Sequence, residues 1–201
     1  MTKNNVHWFL YLLFGSVVWA QGVQNSDIAV LFGPASVKAQ PIPGSNILVP
    51  ASTGYAAGVG YGYQLVRSSA ASLWLDIALP ITAPGKIHGA SVPGSIDDTT
   101  RFFTAGARFM APLNPRVSIY AVTGGGLGGF HYPLVTGGAS PTVKSTLTVH
   151  GVFDFGGGVD VRLTRHFSIR GEVRDFVTGS GLSGVEGRNH VVPLMGLVFH
   201  R

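Results

Sequence analysis

Cysteine is absent from the 201-residue sequence. The chain can therefore form no disulfide bond, no thiolate metal site and no cysteine nucleophile. Basic residues exceed acidic ones by five, but they are scattered along the chain, which argues against a nucleic-acid-binding surface. Without disulfides, the folded protein must be stabilised by its own packing and pairing.

Charged residues are also scarce, at 11% of the chain against 45% hydrophobic residues. An ordinary soluble domain carries about a quarter charged residues. Beyond residue 20 no apolar run reaches about 18 residues, so the sequence predicts no membrane-spanning helix there. No sustained i, i+3, i+4, i+7 pattern predicts an amphipathic helix either. High apolarity without helical spans is typical of a protein that exposes apolar side chains to lipid from β-strands.

Residues 1–20 have the organisation of a secretory signal peptide. Lys3 supplies a positively charged start, an apolar stretch follows, and Val18 and Ala20 occupy the small-residue positions of a cleavage site. We predict cleavage after Ala20, which leaves residues 21–201 as one domain. An uncleaved signal anchor is the alternative.

Eight later runs alternate apolar and polar residues with a period of two, which predicts β-strands. They span Asp27–Val37, Gly54–Val66, Leu73–Ile81, Arg101–Ala111, Val117–Phe130, Val149–Leu163, Phe167–Val177 and Val191–His200.

The connectors between these runs alternate in length. Tight turns at one rim and extended loops at the other are typical of a transmembrane β-barrel. We therefore predict an all-β fold, an eight-stranded antiparallel up-and-down transmembrane β-barrel. Both termini lie at the rim of the short turns, and four loops extend from the other rim. The short connectors are Arg67–Ser72, Pro112–Arg116 and Thr164–His166, and the long ones are Lys38–Thr53, Thr82–Thr100, His131–Thr148 and Thr178–Asn189.

The polar faces of the runs are rich in glycine and carry isolated charges of both signs, which suits the interior of a narrow barrel. An eight-stranded barrel has room inside only for side chains. We therefore interpret these charges as a structural network of ion pairs rather than an ion pathway or gate, and we expect negligible conductance. The candidate network is Asp76, Arg108, Asp154, Asp160, Arg162, Arg170, Glu172 and Arg174.

Two segments carry a family resemblance. GVFDFGGGVDVRLTRHFSIRGEVRDFVTG, at Gly151–Gly179, resembles the penultimate hairpin of OmpA-like small outer-membrane β-barrels. The run VVPLMGLVFHR resembles their C-terminal strand, whose terminal aromatic is read by the barrel-assembly machinery; Phe199 is the matching aromatic here. The resemblance implies an eight-stranded barrel domain in the bacterial outer membrane with a plugged lumen, and it implies no specific ligand.

Two further patterns give little support for a nucleotide-binding or a metal-binding site. GGGLGG at Gly124–Gly129 spells a dinucleotide-binding fingerprint, but the FHYPLVTGG that follows cannot begin the helix that such a site needs. Six histidines outside the leader lack the spacing of metal ligands, although His131, His150 and His190 could meet at the loop rim. The six are His88, His131, His150, His166, His190 and His200.

A lipid-modifying enzyme, an acyl hydrolase or transferase, is the alternative from another functional class. Ser140 or Ser183 with His150 and Glu172 would supply a Ser/His/acid set, but serines are too common for that choice to carry information. We assign no His-x-Ser site of the lipid A deacylase kind, no catalytic residue, no cofactor and no metal. A narrow passive channel and a secreted, lipocalin-like soluble barrel are the remaining alternatives.

The expected partners are outer-membrane lipids. Basic residues of the long connectors would contact lipopolysaccharide phosphates by charge attraction, and we expect a monomer with a structural or interactive role in the cell envelope. These basic residues are Lys38, Lys86, Arg101, Lys144 and Arg188.

Overall fold

A computed structural model describes residues 25–37, 40–41, 48–49, 52–84, 99–136, 142–178 and 188–201. The predicted leader and its cleavage site lie outside these ranges. So do Lys38, Lys86, His88, Ser140 and Ser183, together with the side chains of His131, Lys144 and Arg188.

Eight long strands form one closed sheet. Each is hydrogen-bonded antiparallel to the next along the chain, and the eighth returns to the first. This confirms the predicted eight-stranded antiparallel barrel. The strands are Ser26–Val37 (β1), Ser52–Arg67 (β2), Ser72–Pro84 (β3), Thr100–Pro112 (β4), Val117–Thr136 (β5), Thr142–Arg162 (β6), Phe167–Thr178 (β7) and Arg188–His200 (β8). A separate two-residue ladder pairs Gln40–Pro41 with Leu48–Val49. No helix in the described ranges is long and apolar enough to span a membrane.

The seam between β1 and β8 closes the barrel. Asp27 lies opposite His200, and Phe32 opposite Met195. At the end of the seam the Ser26 amide donates to the Arg201 carbonyl over 3.0 Å, and the Arg201 amide donates to the Ser26 carbonyl over 2.8 Å. Closure gives the backbone groups of both terminal strands partners inside the sheet.

Alternate residues of each strand face opposite sides of the barrel wall. On β7, Ser168, Arg170 and Glu172 are buried while Phe167 and Ile169 are exposed. Period-two alternation thus places polar side chains in the lumen and apolar ones on the exterior. A lipocalin-like soluble barrel requires the reverse, so the exposed apolar faces contradict that alternative.

The three short connectors lie at one rim, beside Ser26 and Arg201, and we call this the turn rim. The Ser68 amide donates to the Ala71 carbonyl over 2.8 Å, and the Leu113 amide to the Val117 carbonyl over 2.8 Å. In the third turn the Thr164 hydroxyl oxygen accepts from the amides of His166 and Phe167. We call the opposite end the loop rim.

The prediction of a long loop at His131–Thr148 is wrong for most of its length. β5 continues to Thr136 and β6 begins at Thr142, with Tyr132 opposite Thr146. The aromatic and β-branched residues of this segment favour strand pairing more than Pro133 and the neighbouring glycines oppose it. Because the pairing of β5 with β4 ends at Phe130 and that of β6 with β7 at Val152, the two strands continue beyond the barrel as a two-stranded ribbon.

Glycine at two inward positions lets neighbouring strands approach closely. A Cβ atom on Gly106 of β4 would overlap the carbonyl oxygen of Thr123, and one on Gly126 of β5 would overlap that of Phe103. A Cβ on the outward Gly171 of β7 would meet no atom within 4 Å. The glycine-rich polar faces of the sequence therefore reflect crowding on the lumen side of the wall.

Candidate functional site in the barrel lumen

Charged side chains from five strands meet in the middle of the lumen. Each occupies an inward position of its strand, so the period-two pattern alone brings them to one place. All of them are buried. We call this set the lumen network, and its members are Asp27 of β1, Asp76 of β3, Arg108 of β4, Asp154 and Asp160 of β6, and Arg170, Glu172 and Arg174 of β7.

Arg174 binds three carboxylates at once. Its Nη2 lies 2.6 Å from Asp76 Oδ2, its Nη1 lies 2.9 Å from Asp154 Oδ2, and its Nε lies 3.0 Å from Glu172 Oε1. All three nitrogens of the guanidinium are therefore engaged, which offsets the cost of burying the charge. The Thr104 hydroxyl also donates to Asp154 Oδ2 over 3.1 Å.

Arg108 and Arg170 share one carboxylate. Arg108 Nη2 lies 2.7 Å from Asp27 Oδ2, and Arg170 Nη2 lies 2.9 Å from the same oxygen. Arg170 Nη2 also lies 2.8 Å from Asp160 Oδ2. Asp27 thus links β1 to β4 and β7, neither of which is its neighbour in the sheet.

Two aromatic rings pack against the arginines. The Tyr120 hydroxyl donates to Glu172 Oε2 over 2.7 Å, and the ring centroid of Tyr120 lies 5.3 Å from the guanidinium carbon of Arg170. The guanidinium carbon of Arg108 lies 5.0 Å from the centroid of Trp74. These cation–π contacts stabilise the buried positive charges.

The structure brings together seven of the eight residues of the candidate network. Arg162 stands apart and is exposed at the turn rim, because it is the last residue of β6 and the turn follows it. Asp27 belongs to the network and Tyr120 packs against it, although the sequence did not single out either residue. The alternation identifies Asp27, since Ile28 and the apolar residues at alternate positions after it mark the outward face.

The lumen between the network and the loop rim is filled by aromatic side chains. Phe176 is fully buried and stacks on Phe102, with ring centroids 4.4 Å apart. Phe130 meets Phe102 edge-on at 5.8 Å. Together with the network, these rings fill the lumen from its middle toward the loop rim.

The histidines do not form a metal site among the described residues. His150 and His190 each pack against the ring of Phe130, at 5.7 and 5.4 Å between centroids. His166 lies in an exposed turn, and His200 is buried at the end of β8.

One serine–histidine pair that the sequence analysis did not select comes into contact. Ser168 Oγ lies 2.7 Å from His200 Nε2. Ser168 also forms a His-x-Ser sequence with His166, so the assignment of no such pattern overlooked one match. The hydroxyl is directed to His200, however, and Ser168 is only 1% exposed, which leaves no room for a substrate carbonyl at the oxygen. The set of Ser140 or Ser183 with His150 relies on Glu172 as its acid, and Glu172 is already bound to Arg174 and Tyr120.

Phe199 lies on the exterior of β8. The residue is 42% exposed, and its ring centroid lies 5.4 Å from that of Phe167 on the neighbouring strand. The side chain is therefore accessible from outside the barrel wall.

Comparisons with known proteins identify the fold. Neisserial surface protein A (NspA) superposes with a TM-score of 0.57 at 14% identity, covering 89% of this chain and 98% of that one. The outer membrane protein OprG from Pseudomonas aeruginosa superposes with a TM-score of 0.53 at 15% identity, covering 90% and 98%. This chain has the fold of the small eight-stranded outer-membrane β-barrels.

The similarity to these barrels lies in the architecture rather than the sequence. No protein-family model matches the sequence, and no curated protein matches it. At this level of identity the structural neighbours establish the fold of the barrel and leave its role to be argued from its own residues.

Proposed function

We propose that this protein is a bacterial outer-membrane β-barrel of the cell envelope with a structural or surface-interaction role. It displays four loops to the exterior and has no open pore. The observation that carries this proposal is the filled lumen, where the ion-paired network and the aromatic side chains leave only the rims as contact surfaces.

The exterior of the barrel supports a membrane location. Every strand carries apolar, exposed residues at outward positions, among them Val30, Val59, Leu79, Phe103, Ile119, Phe155, Ile169 and Met195. In water this surface would promote aggregation, whereas in a bilayer it matches the hydrocarbon. Strands of 12 to 21 residues exceed the roughly 9–11 residues that a tilted transmembrane strand needs.

The network supports a structural role for the lumen. Each buried guanidinium contacts at least two carboxylates, so separating them would leave unpaired charges in a confined space. A permeant ion would have to break these pairs. The interior therefore acts as a cross-brace between strands that are not neighbours.

The proposed partners meet the protein at its surfaces. We place the barrel in the outer membrane with its turn rim toward the periplasm. The loop rim then faces the lipopolysaccharide leaflet, and Arg101 is exposed there at the start of β4. Phe199, accessible on β8, is the proposed recognition aromatic for the barrel-assembly machinery. The closed sheet needs no second copy to satisfy its strand edges, which supports a monomer.

Conductance tests the closed lumen. The purified protein in planar bilayers should give no steady pore current, and a stable open level of large conductance would overturn the proposal.

Location and sidedness are tested in cells with one epitope tag inserted within residues 85–98 and a matched tag after Ser69 in the β2–β3 turn. Protein in the outer-membrane fraction, with only the first tag accessible from outside, is the expected result. Recovery in a soluble fraction, or the opposite accessibility, would refute it.

A further inference from the structure

A wide cavity opens at the turn rim beneath the lumen network. Its volume is about 1570 Å³, larger than the roughly 300–1,000 Å³ of common small-molecule sites. Five arginines line it: Arg67, Arg116, Arg162, Arg165 and Arg201. We call this cavity the basic vestibule, and we propose that it is a binding site for anions that carry several phosphate groups.

The positive side chains of the vestibule are not balanced by its acidic side chains. None of the five arginine side chains forms an ion pair or a side-chain hydrogen bond within the part of the chain that the structure describes. The single carboxylate side chain in its lining, Asp160, is already bound to Arg170 at 2.8 Å. The five guanidinium groups are therefore available to an external anion.

The distribution of charge along the chain makes the vestibule distinct from the other rim. The acidic residues outside the lumen network are Asp97, Asp98, Asp175 and Glu186, in sequence segments that lead to the loop rim. The lysines outside the leader are Lys38, Lys86 and Lys144, and none of them belongs to a short connector in the sequence. Among the described residues of the turn rim, the permanently positive side chains are arginines, and His166 and His200 lie beside them.

Arginine is the residue that points to phosphate. Its planar guanidinium donates two parallel hydrogen bonds to a phosphate or carboxylate, whereas lysine acts as a point charge. Several arginines around one concave space favour a ligand with several such groups. Because the vestibule lies at the barrel mouth, the ligand is either a soluble multi-phosphate anion or the headgroup of an anionic phospholipid beside the rim.

The lumen network prevents such an anion from passing through. Five carboxylates and three guanidiniums lie immediately beyond the vestibule, so the formal side-chain charge changes from positive in the vestibule to negative in the network. Trp74 lines the vestibule and stacks with Arg108 behind it. The site therefore holds an anion at the mouth and does not conduct it.

Trp74 also provides the measurement, since the other two tryptophans, Trp8 and Trp19, lie in the predicted leader. Tripolyphosphate is titrated into the purified full chain in a nonionic detergent, and fluorescence is recorded for the wild type and for Trp74→Phe as background. We expect a saturable change that requires Trp74. A triple variant, Arg67→Gln with Arg162→Gln and Arg165→Gln, should bind about tenfold more weakly, as expected for the loss of three exposed charge contacts. The matched control Arg101→Gln, at the opposite rim, should bind like the wild type.

A second arm identifies the source of the phosphate. The titration is repeated in nanodiscs of phosphatidylcholine alone and of phosphatidylcholine with cardiolipin, whose headgroup carries two phosphates. Weaker binding with cardiolipin identifies the lipid headgroup as a competing ligand of the site, and equal binding identifies a soluble anion. The proposal is overturned if no saturable change occurs, if the folded triple variant binds as tightly as the wild type, or if a tetraglutamate peptide binds as tightly as tripolyphosphate. Circular dichroism of each variant verifies the fold, and none of these outcomes depends on the cellular location of the barrel.

Discussion

Arg108 and Asp27 meet across the barrel rather than along a ladder. Their Nη2 and Oδ2 atoms lie 2.7 Å apart, although β2 and β3 separate their strands in the sheet. Both side chains are almost completely buried, at 0% and 1% exposure. This pair therefore joins opposite parts of the wall, which backbone hydrogen bonds between neighbouring strands cannot do.

Substitutions of Arg108 and Asp27 should have non-additive effects on the free energy of unfolding. Arg108→Met leaves Asp27 with one arginine partner instead of two and also removes a partner of Asp76. We expect a loss of up to about 3–5 kcal/mol, because two buried carboxylates each lose one counterion. Asp27→Asn should also destabilise the barrel. The double variant should lose less than the sum of the two, by about 0.5–3 kcal/mol. Urea unfolding in lipid vesicles, followed by Trp74 fluorescence, measures each value, and strict additivity would contradict the cross-lumen contact.

Two arginines that share the inward face of the wall should respond differently to the same substitution. Arg174→Gln removes the partner of Asp76, Asp154 and Glu172 and should cost several kcal/mol of unfolding free energy. Arg162→Gln removes an exposed side chain without an ion pair and should leave stability unchanged within error. Equal losses in the two variants, measured by urea unfolding in vesicles, would place Arg162 back in the network.

A methyl group should be tolerated at one glycine and not at another. Gly106→Ala would force a Cβ against the backbone of β5, at a cost of about 1–3 kcal/mol or more. Gly171→Ala adds the same atom where nothing lies within 4 Å and should be neutral or slightly stabilising, because the unfolded chain loses freedom. Folded and unfolded barrels migrate differently on gels, so the temperature at which the folded band disappears measures the stability of each variant. A Gly171→Ala variant as unstable as Gly106→Ala would refute the crowding argument.

An arginine on the barrel exterior should lower the free energy of unfolding only where the side chain lies near the middle of the bilayer. Met195→Arg places a charge at the middle outward position of β8 and should cost about 2–4 kcal/mol, whereas Leu113→Arg in the β4–β5 turn should cost about 0–1 kcal/mol. Folding yield in vesicles and urea unfolding give both values. If the Met195→Arg protein folds as well as the Leu113→Arg protein, the surface around Met195 does not face lipid.

The alternation of apolar and polar residues was sufficient to predict the eight strands. A strand with one face toward the lumen and the other toward the exterior must change polarity from one residue to the next. It predicted which side of β7 faces the lumen, so Arg170, Glu172 and Arg174 lie where the alternation places them. It could not predict which acid binds which arginine. Those contacts depend on strand register and on distances across the lumen, and neither is encoded in the spacing within one strand.

The errors have local causes. Arg162 follows the alternation but lies one residue from a turn, and periodicity carries no information about depth. The residues after Phe130 contain proline and glycine, which indicate a loop, yet their backbone pairs with β6 as far as Thr136. Asp27 was missed because a single acid at the start of a strand resembles an ordinary strand boundary until the opposite side of the barrel is known.

The seam at Ser26 and Arg201 sets the order of events during synthesis. β1 is the first strand to be made, and one of its two partners, β8, is the last. Any chain interrupted before β8 keeps two open strand edges, which invite pairing with other chains. The barrel can therefore close only after all eight strands have been synthesised and delivered together, and until then the chain must be kept from aggregating.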